Sequence, residues 1–383
     1  MNFNNMGIIP PILKAIQALG YQNPTPIQQQ AIPAIATGKD LIACAQTGTG
    51  KTAAFAVPIL QSLHEDNRKG LGPQVLILVP TRELAIQISQ NIAGLSKFLQ
   101  VKHCTIFGGV SQVNQVKELK RGVDILIATP GRLIDLIGQG FIKLGHIRYL
   151  VLDEADNMLD MGFIHDLKKI YKFLPAKKQT LLFSATMPKA IRKLAMDFMH
   201  QPNEIAVSPV SSTAESVEQQ IYFVEKKQKP QLLGNLIGKT KVQTLVFTRT
   251  KHGADRLSKT LRKTGIDSAC IHGNKSQNAR QKALQSFKSG EIHILIATDI
   301  AARGIDIQGL PLVVNFDLPV DAETYVHRIG RTGRAGLQGK AVSFCSEEEQ
   351  STLNKIQKLI GFELPKAETI TLINTNNNAR RNN

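Results

Sequence analysis

ILIATPGRLIDL (residues 125–136) and ILIATDIAARGIDI (residues 294–307) begin with the same pentapeptide, Ile-Leu-Ile-Ala-Thr. The copies start at Ile125 and Ile294, and 294 − 125 gives a spacing of 169 residues, near the middle of each half of the 383-residue chain. Four successive apolar residues lack the alternation of a strand with one wet face. They fit a strand buried on both faces, in a parallel sheet covered by helices. The polar residues that follow differ, so the chain builds one strand twice and ends it with different chemistry.

The same texture extends outward from each copy. Between residues 39 and 207, DLIAC, QVLILVP, DILIATP, YLVLD and QTLLFSAT alternate with helical segments, one of which repeats apolar residues at Ile88, Ile92, Leu95 and Leu99. VSPVSSTAES (residues 207–216) is small and polar and predicts a linker. The pattern then restarts with QQIYFV, QTLVFT, ACIHG, HILIATD, LVVNFD and KAVSFC. Two similar α/β domains are expected, at 1–208 and 217–365, joined by a linker at 209–216. The tail, 366–383, ends in the low-complexity NTNNNARRNN and is expected to be disordered.

Hydrophobic residues make up 42% of the chain, enough for a core in each domain. Basic residues number 47 against 30 acidic ones, for a net charge of +17, a balance that suits a phosphate-rich partner. The four cysteines, Cys44, Cys104, Cys270 and Cys345, show no Cys-x-x-Cys and no His pair at ligand spacing, which argues against zinc and against a disulfide framework. The amino end lacks a signal-peptide pattern and no apolar run approaches the ~20 residues of a membrane span, so a cytoplasmic location is expected.

AQTGTGKT (residues 45–52) follows a strand and opens a helix. Ala45, Gln46, Thr47, Gly48, Thr49 and Gly50 form a loop whose backbone N–H groups can turn inward around phosphates, helped by the helix N-terminus. Lys51 reaches the outer phosphates, and the Thr52 hydroxyl can ligate Mg²⁺. Ala45 stands where the general pattern has its first glycine. In YLVLDEAD, Asp153 follows four residues of strand and emerges at the carboxyl edge of the sheet as the natural Mg²⁺ partner. Glu154 is the candidate to polarise a water for attack on the γ-phosphate.

With these motifs in this order, residues 1–365 resemble the DEAD-box ATP-dependent RNA helicases, with the bacterial RhlE-like group the most similar. The resemblance implies two tandem RecA-like domains, ATP and Mg²⁺ as cofactors and RNA as partner. It implies that Phe3 and GYQNPTPIQ read adenine, with Gln28 bonding the base edge and Tyr21 or Phe3 packing on it. SAT, with Ser184 and Thr186, resembles a coupling motif that bonds toward Asp156, and His327 belongs to the same coupling set. RNA backbone contacts are implied for Pro80, Thr81, Arg82, Gly108, Gly109, Thr129, Gly131 and Arg132, and in the second domain for Arg249, Gly273, Gln277, Arg280 and Thr298. Asp306 is implied at the ribose, with Arg303 and Gly304 near the phosphates. In HRIGRTGR, Arg328, Arg331 and Arg334 recur at spacings of three. Arg334 resembles an arginine finger and Arg331 its partner.

Asn157 stands where relatives often carry Arg or Glu, at a position expected to face no chemistry. The tail is shorter than the basic extension common in RhlE-like proteins. The mechanism implied is closure of the two domains around ATP and RNA, local parting of a short duplex, and reset by hydrolysis. Two alternatives share the motifs: an ATP-dependent RNA clamp that does not separate strands, and a DNA-directed motor.

Overall fold

The computed structural model describes residues 2–46, 48–66, 72–207, 217–238, 242–305, 307, 309–333 and 339–367. Residues 304–306 apart, the chain divides between residues 210 and 211 into two compact units.

In the first unit seven strands form one sheet: β1 (Leu41–Ala45), β2 (Val75–Leu78), β3 (His103–Ile106), β4 (Ile125–Ala128), β5 (Tyr149–Leu152), β6 (Gln179–Ser184) and β7 (Asn203–Val207). Their order is β3-β4-β2-β5-β6-β1-β7, and every pairing is parallel. The pentapeptide shows why a continuous apolar run suits this place. Ile125 and Ile127 enter one core cluster with Phe55, Ile88, Ile92 and Leu95, whereas Leu126 and Ala128 enter another with Leu133, Leu136 and Leu167. Each Ile or Leu withdrawn from water in this way contributes about 1.5–3 kcal/mol. A strand buried on one side could not use all four residues in this way.

β3 and β7 escape the sequence reading. Both lie at sheet edges, and their burial is broken, alternating between buried and half-buried in β3 and between half-buried and exposed in β7. An edge strand has neighbours on one side only, so HCTI and NEIAV carry polar residues that interrupt the apolar run.

The second unit has six strands: β8 (Glu218–Phe223), β9 (Thr244–Phe247), β10 (Ala269–Ile271), β11 (Ile294–Ala297), β12 (Leu312–Asn315) and β13 (Lys340–Cys345). The order β10-β11-β9-β12-β13-β8 is again all parallel and repeats the first six places of the other sheet. The repeated pentapeptide therefore supplies β4 and β11, each second from an edge. Ile294 and Ile296 pack with Leu232, Leu233, Leu257 and Leu261.

Two buried cations organise the polar interior of this unit. Arg328 is 1% exposed; its guanidinium pairs with both Asp299 oxygens and donates to Asn315 Oδ1 at 3.1 Å and the Asp317 carbonyl at 2.7 Å. It also lies 4.9 Å from the Phe247 ring centre. Arg328, one of the three evenly spaced arginines, is thus a structural ion pair. Lys229, equally buried, donates to Glu349 Oε2 at 2.5 Å and to the Phe316 and Phe344 carbonyls.

Candidate functional site

Parallel strands present all their carboxyl ends on one edge of a sheet, and the motifs gather there. In the first unit β5, β6 and β1 are neighbours and lead into Asp153–Asp156, Ser184–Thr186 and the cradle respectively. Strands are about 4.8 Å apart, so these three loops lie within about 10 Å of one another. The other half of the edge, β3-β4-β2, leads into Gly108 and Gly109, Thr129–Arg132, and Pro80–Arg82.

The cradle turns from β1 into the helix Lys51–Glu65 through Gly48 (φ 82) and Gly50 (φ 92). Gly50 has a second reason to be glycine, because an added Cβ would run into the Gln28 amide. Lys51 is 6% exposed and folds back to donate to the Ala45 carbonyl at 3.0 Å. Thr49 Oγ1 donates to the Gln46 carbonyl at 2.7 Å, which tightens the loop. Thr52 is half-buried in the first turn of the helix. Thr47 lies outside the described residues.

Gln28 is buried beside this loop. Its Nε2 donates to the Gly50 carbonyl at 3.2 Å, and its Oε1 accepts from Thr25 N at 3.0 Å in the capping box of the helix Pro26–Ala36. One N–H and one lone pair of the amide stay uncommitted by these bonds. Tyr21 is half-buried at the rim of the core, but Phe3 is 3% exposed and packs inside it. Phe3 thus packs among core residues, and Tyr21 is the more exposed aromatic of the two.

Asp153 and Glu154 are 2% and 3% exposed. Burial pushes the Asp153 carboxyl up to about 6, opposed by the Lys51 ammonium and reinforced by the Glu154 charge. Asp153 Oδ1 accepts from Glu154 N at 3.0 Å. Glu154 adopts left-handed backbone, φ 54, at the N-cap of the helix Ala155–Asp160. This turns its side chain toward the third residue of that helix, and Asn157 Nδ2 donates to Glu154 Oε2 at 2.9 Å. The expectation that Asn157 faces no chemistry is therefore corrected: it holds the candidate general base.

Asp156 joins β5 to β6. Its Oδ2 accepts from Ala185 N at 3.0 Å, Thr186 N at 2.9 Å and Thr186 Oγ1 at 3.2 Å, while its own N–H donates to Ser184 Oγ at 3.2 Å. The geometry brings together the residues of the expected coupling pair.

The remaining candidates fall on the neighbouring edge. Thr129 and Thr298 each occupy an N-cap position with no hydrogen bond from the hydroxyl to the helix, at matching ψ of 141 and 157. The Thr81 hydroxyl instead caps its helix by accepting from Leu84 N. Gly108, Gly131 and Gly273 have open space where a side chain would stand, and at Gly109 (φ 74) a Cβ would strike the Arg82 guanidinium. Arg132 is tied to the Val110 carbonyl at 3.2 Å and to Asp135. In the second unit β10, β11 and β9 occupy the places of β3, β4 and β2, and they lead to Gly273, Thr298 and Arg249. Arg249 is held by Glu349 at 3.2 Å and the Leu318 carbonyl at 3.3 Å. Gln277 and Arg280 lie in the first turn of the helix Gln277–Lys288.

Arg303 and Gly304 follow the short helix Asp299–Ala302, with Gly304 at φ 71. Pro80 precedes the helix Arg82–Leu95. Arg331 is 8% exposed just past the helix Ala322–Ile329, and His327 Nε2 is buried with no hydrogen-bond partner among the described residues. Asp306 and Arg334 lie outside the described residues.

The DEAD/DEAH box helicase family model matches residues 25–194, and the helicase conserved C-terminal domain model matches residues 228–336. The chain is 43% identical to the ATP-dependent RNA helicase DbpA of Bacillus subtilis over 96% of this chain and 76% of that protein. It is 42% identical to the DEAD-box ATP-dependent RNA helicase CshA of Geobacillus kaustophilus over 97% and 79%. Among solved structures, S. cerevisiae Dbp5 bound to RNA and ADP BeF3 aligns with a TM-score of 0.86 at 33% identity, covering 96% of this chain and 95% of that one. These relatives carry several subgroup names and so support the family rather than the RhlE-like subgroup. The chain is a member of the DEAD/DEAH box helicases, built from two tandem RecA-like domains.

Proposed function

We propose that this protein is an RNA-stimulated ATP hydrolase that uses the nucleotide cycle to part short RNA duplexes. The observation that carries the reading is the division of one sheet edge. The nucleotide motifs follow β5, β6 and β1, the candidate RNA contacts follow β3, β4 and β2, and the second sheet repeats the latter set at the same three places. Dbp5, a relative whose structure holds RNA and ADP BeF3, supports the same assignment.

In this reading the cradle N–H groups and Lys51 hold the phosphates, and the Gln28 amide and Tyr21 meet the base. Asp153 and Thr52 form an all-oxygen donor set, which fits a hard divalent cation such as Mg²⁺. When bound there, the ion neutralises charge on the outer phosphate oxygens. Glu154, oriented by Asn157, takes a proton from the attacking water. The water oxygen then bonds to the γ-phosphorus as the bond to the ADP oxygen breaks. Arg331 and Arg334 meet the charge that develops, and Asp306 meets the ribose. The Asp156 network carries the state of the acidic loop into the SAT segment.

RNA is met through its backbone, with Thr129 and Thr298 offering their hydroxyls and Pro80–Arg82, Gly108, Gly109, Gly131 and Gly273 offering close approach. Contacts of this kind give little sequence preference and a salt slope of roughly −0.7 per neutralised phosphate. The cell compartment that suits this activity, and the free cysteines, is the cytoplasm.

Glu154→Gln tests the reading. ATP binding should persist while RNA-stimulated turnover falls by about 10²–10⁴-fold, the usual span for a general base. Normal turnover in that variant would remove Glu154 from the mechanism. An RNA clamp is distinguished by strand displacement: hydrolysis without separation of a short duplex would favour it.

A further inference from the structure

The second unit holds a cluster of metal-ligand side chains that adjoins the candidate RNA contact Gly273 and that no nucleotide or RNA contact above uses. Cys270 lies in β10 and His272 just beyond it, and their i, i+2 spacing puts both side chains on one face of the strand. That face meets the helix Lys251–Lys263, which contributes Asp255. Cys270 Sγ stands 3.4 Å from Asp255 Oδ1, and His272 Nε2 stands 3.1 Å from Asp255 Oδ2. The donor atoms of all three residues fall within 4.8 Å of one another.

His272 supplies the second, independent observation. It is 1% exposed, yet neither ring nitrogen has a hydrogen-bond partner among the described residues. Nε2 does face the Asp255 carboxylate at 3.1 Å, but Nδ1 is left with no partner among the described residues. A buried, unsatisfied imidazole costs about 1–3 kcal/mol unless something else meets its lone pair.

We propose that Asp255, Cys270 and His272 form a binding site for a thiophilic divalent cation of the Zn²⁺ class. Ligands at about 2.0 Å (N, O) and about 2.3 Å (S) from a tetrahedral centre lie about 3.3 Å (N to O) and about 3.5 Å (S to O) apart. The two approaches are made to different oxygens of Asp255, and one donor atom from each residue falls within 4.8 Å of the others, so binding of one cation draws the three donors closer together. One sulfur, one imidazole and one carboxylate exclude the oxygen-seeking Mg²⁺ and Ca²⁺ and suit Zn²⁺ with a fourth position open to water. Lys275 is the built-in competitor: its ammonium lies 2.9 Å from Asp255 Oδ1 on a 34% exposed side chain. Metal entry displaces that ammonium into solvent and releases the thiol proton. The cation then ties the helix Lys251–Lys263 to the strand that leads into Gly273. Cysteine spacing argued against zinc because the third ligand comes from a helix 15 residues before Cys270 (270 − 255).

The test uses the full chain with Mg²⁺ present in excess, titrated with Zn²⁺ against a chromophoric chelator and with Co²⁺ read by its sulfur-to-metal charge-transfer absorption. One tight equivalent is expected. Cys270→Ser should abolish the Co²⁺ charge-transfer band, and both Cys270→Ser and His272→Gln should weaken Zn²⁺ by about 100-fold or more, beyond what a supporting residue costs. Cys44→Ser should leave both signals intact. Lys275→Met keeps every ligand and should tighten Zn²⁺ by about 10-fold, the effect of removing one competing charge near ~1.4 kcal/mol. Absence of a stoichiometric site, a charge-transfer band that survives Cys270→Ser, or unchanged affinity in Lys275→Met overturns the proposal. The lysine variant decides the matter even if the ligand variants fail to fold.

Discussion

Replacing Asp156 separates a buried polar hub from a merely acidic loop. The residue is 4% exposed and accepts four hydrogen bonds: three at Oδ2 from the Ala185 and Thr186 segment, and one at Oδ1 from Asn157 N at 3.0 Å. In Asp156→Asn the amide oxygen can serve the three donors on the SAT side, which sets the new NH2 against Asn157 N–H. One charge-assisted bond is lost, at a cost of about 2 kcal/mol. In Asp156→Ala the backbone N–H groups of Asn157, Ala185 and Thr186 all lose their acceptor, at about 1–3 kcal/mol each. Water entering the space recovers part of this, leaving about 3–6 kcal/mol. Two units do not unfold as a single two-state system, so the assay is amide hydrogen exchange resolved to segments 153–160 and 183–187, alongside urea unfolding. Protection should fall in the order parent, Asn, Ala, with both segments losing it together. If both variants stay within about 0.5 kcal/mol of the parent, the hub does not hold the two strand ends.

Further outcomes follow from other buried charges. Asp153→Asn should stabilise the first unit at pH 7.5 in the absence of nucleotide and metal, by up to about 3 kcal/mol for a carboxyl raised from 3.8 to about 6. The sign is that of a raised acid: the folded state binds the proton more tightly, so the penalty is full above pH 6 and vanishes as pH falls below 4, which urea unfolding at several pH values reads. By the same titration, Mg²⁺-dependent nucleotide binding should weaken as pH falls through about 6. Glu349→Gln leaves the Lys229 ammonium buried against carbonyls, with Asp317 at 3.8 Å, and should destabilise the second unit by about 3–5 kcal/mol in urea. Arg328→Lys replaces a fork spanning Asp299, Asn315 and the Asp317 carbonyl by a single point donor, and should cost the second unit about 2–4 kcal/mol.

Legibility in the sequence followed burial. The central strands announced themselves because both faces are covered, so apolar residues run unbroken; β3 and β7 did not, because an edge tolerates His103, Thr105 and Glu204. The cradle was legible because left-handed backbone at Gly48 and Gly50 leaves a glycine signature. Phe3 was ambiguous because an isolated aromatic is as useful to a core as to a base, and here it packs in the core. Arg328 looked like its neighbours in HRIGRTGR, yet its partner Asp299 comes from the end of the twin strand 29 residues earlier (328 − 299). Asn157 carried a usable signal: it stands three residues after Glu154 at a helix start, the spacing at which a cap and the first turn meet. The missing information was the left-handed turn at Glu154 itself.

The most direct measurement is the steady-state rate of ATP hydrolysis by the full chain alone, with single-stranded RNA, and with single-stranded DNA of the same sequence. A low basal rate is expected, with strong stimulation by RNA that declines with added salt and little response to DNA. A rate indifferent to RNA, or raised equally by DNA, contradicts the proposed function.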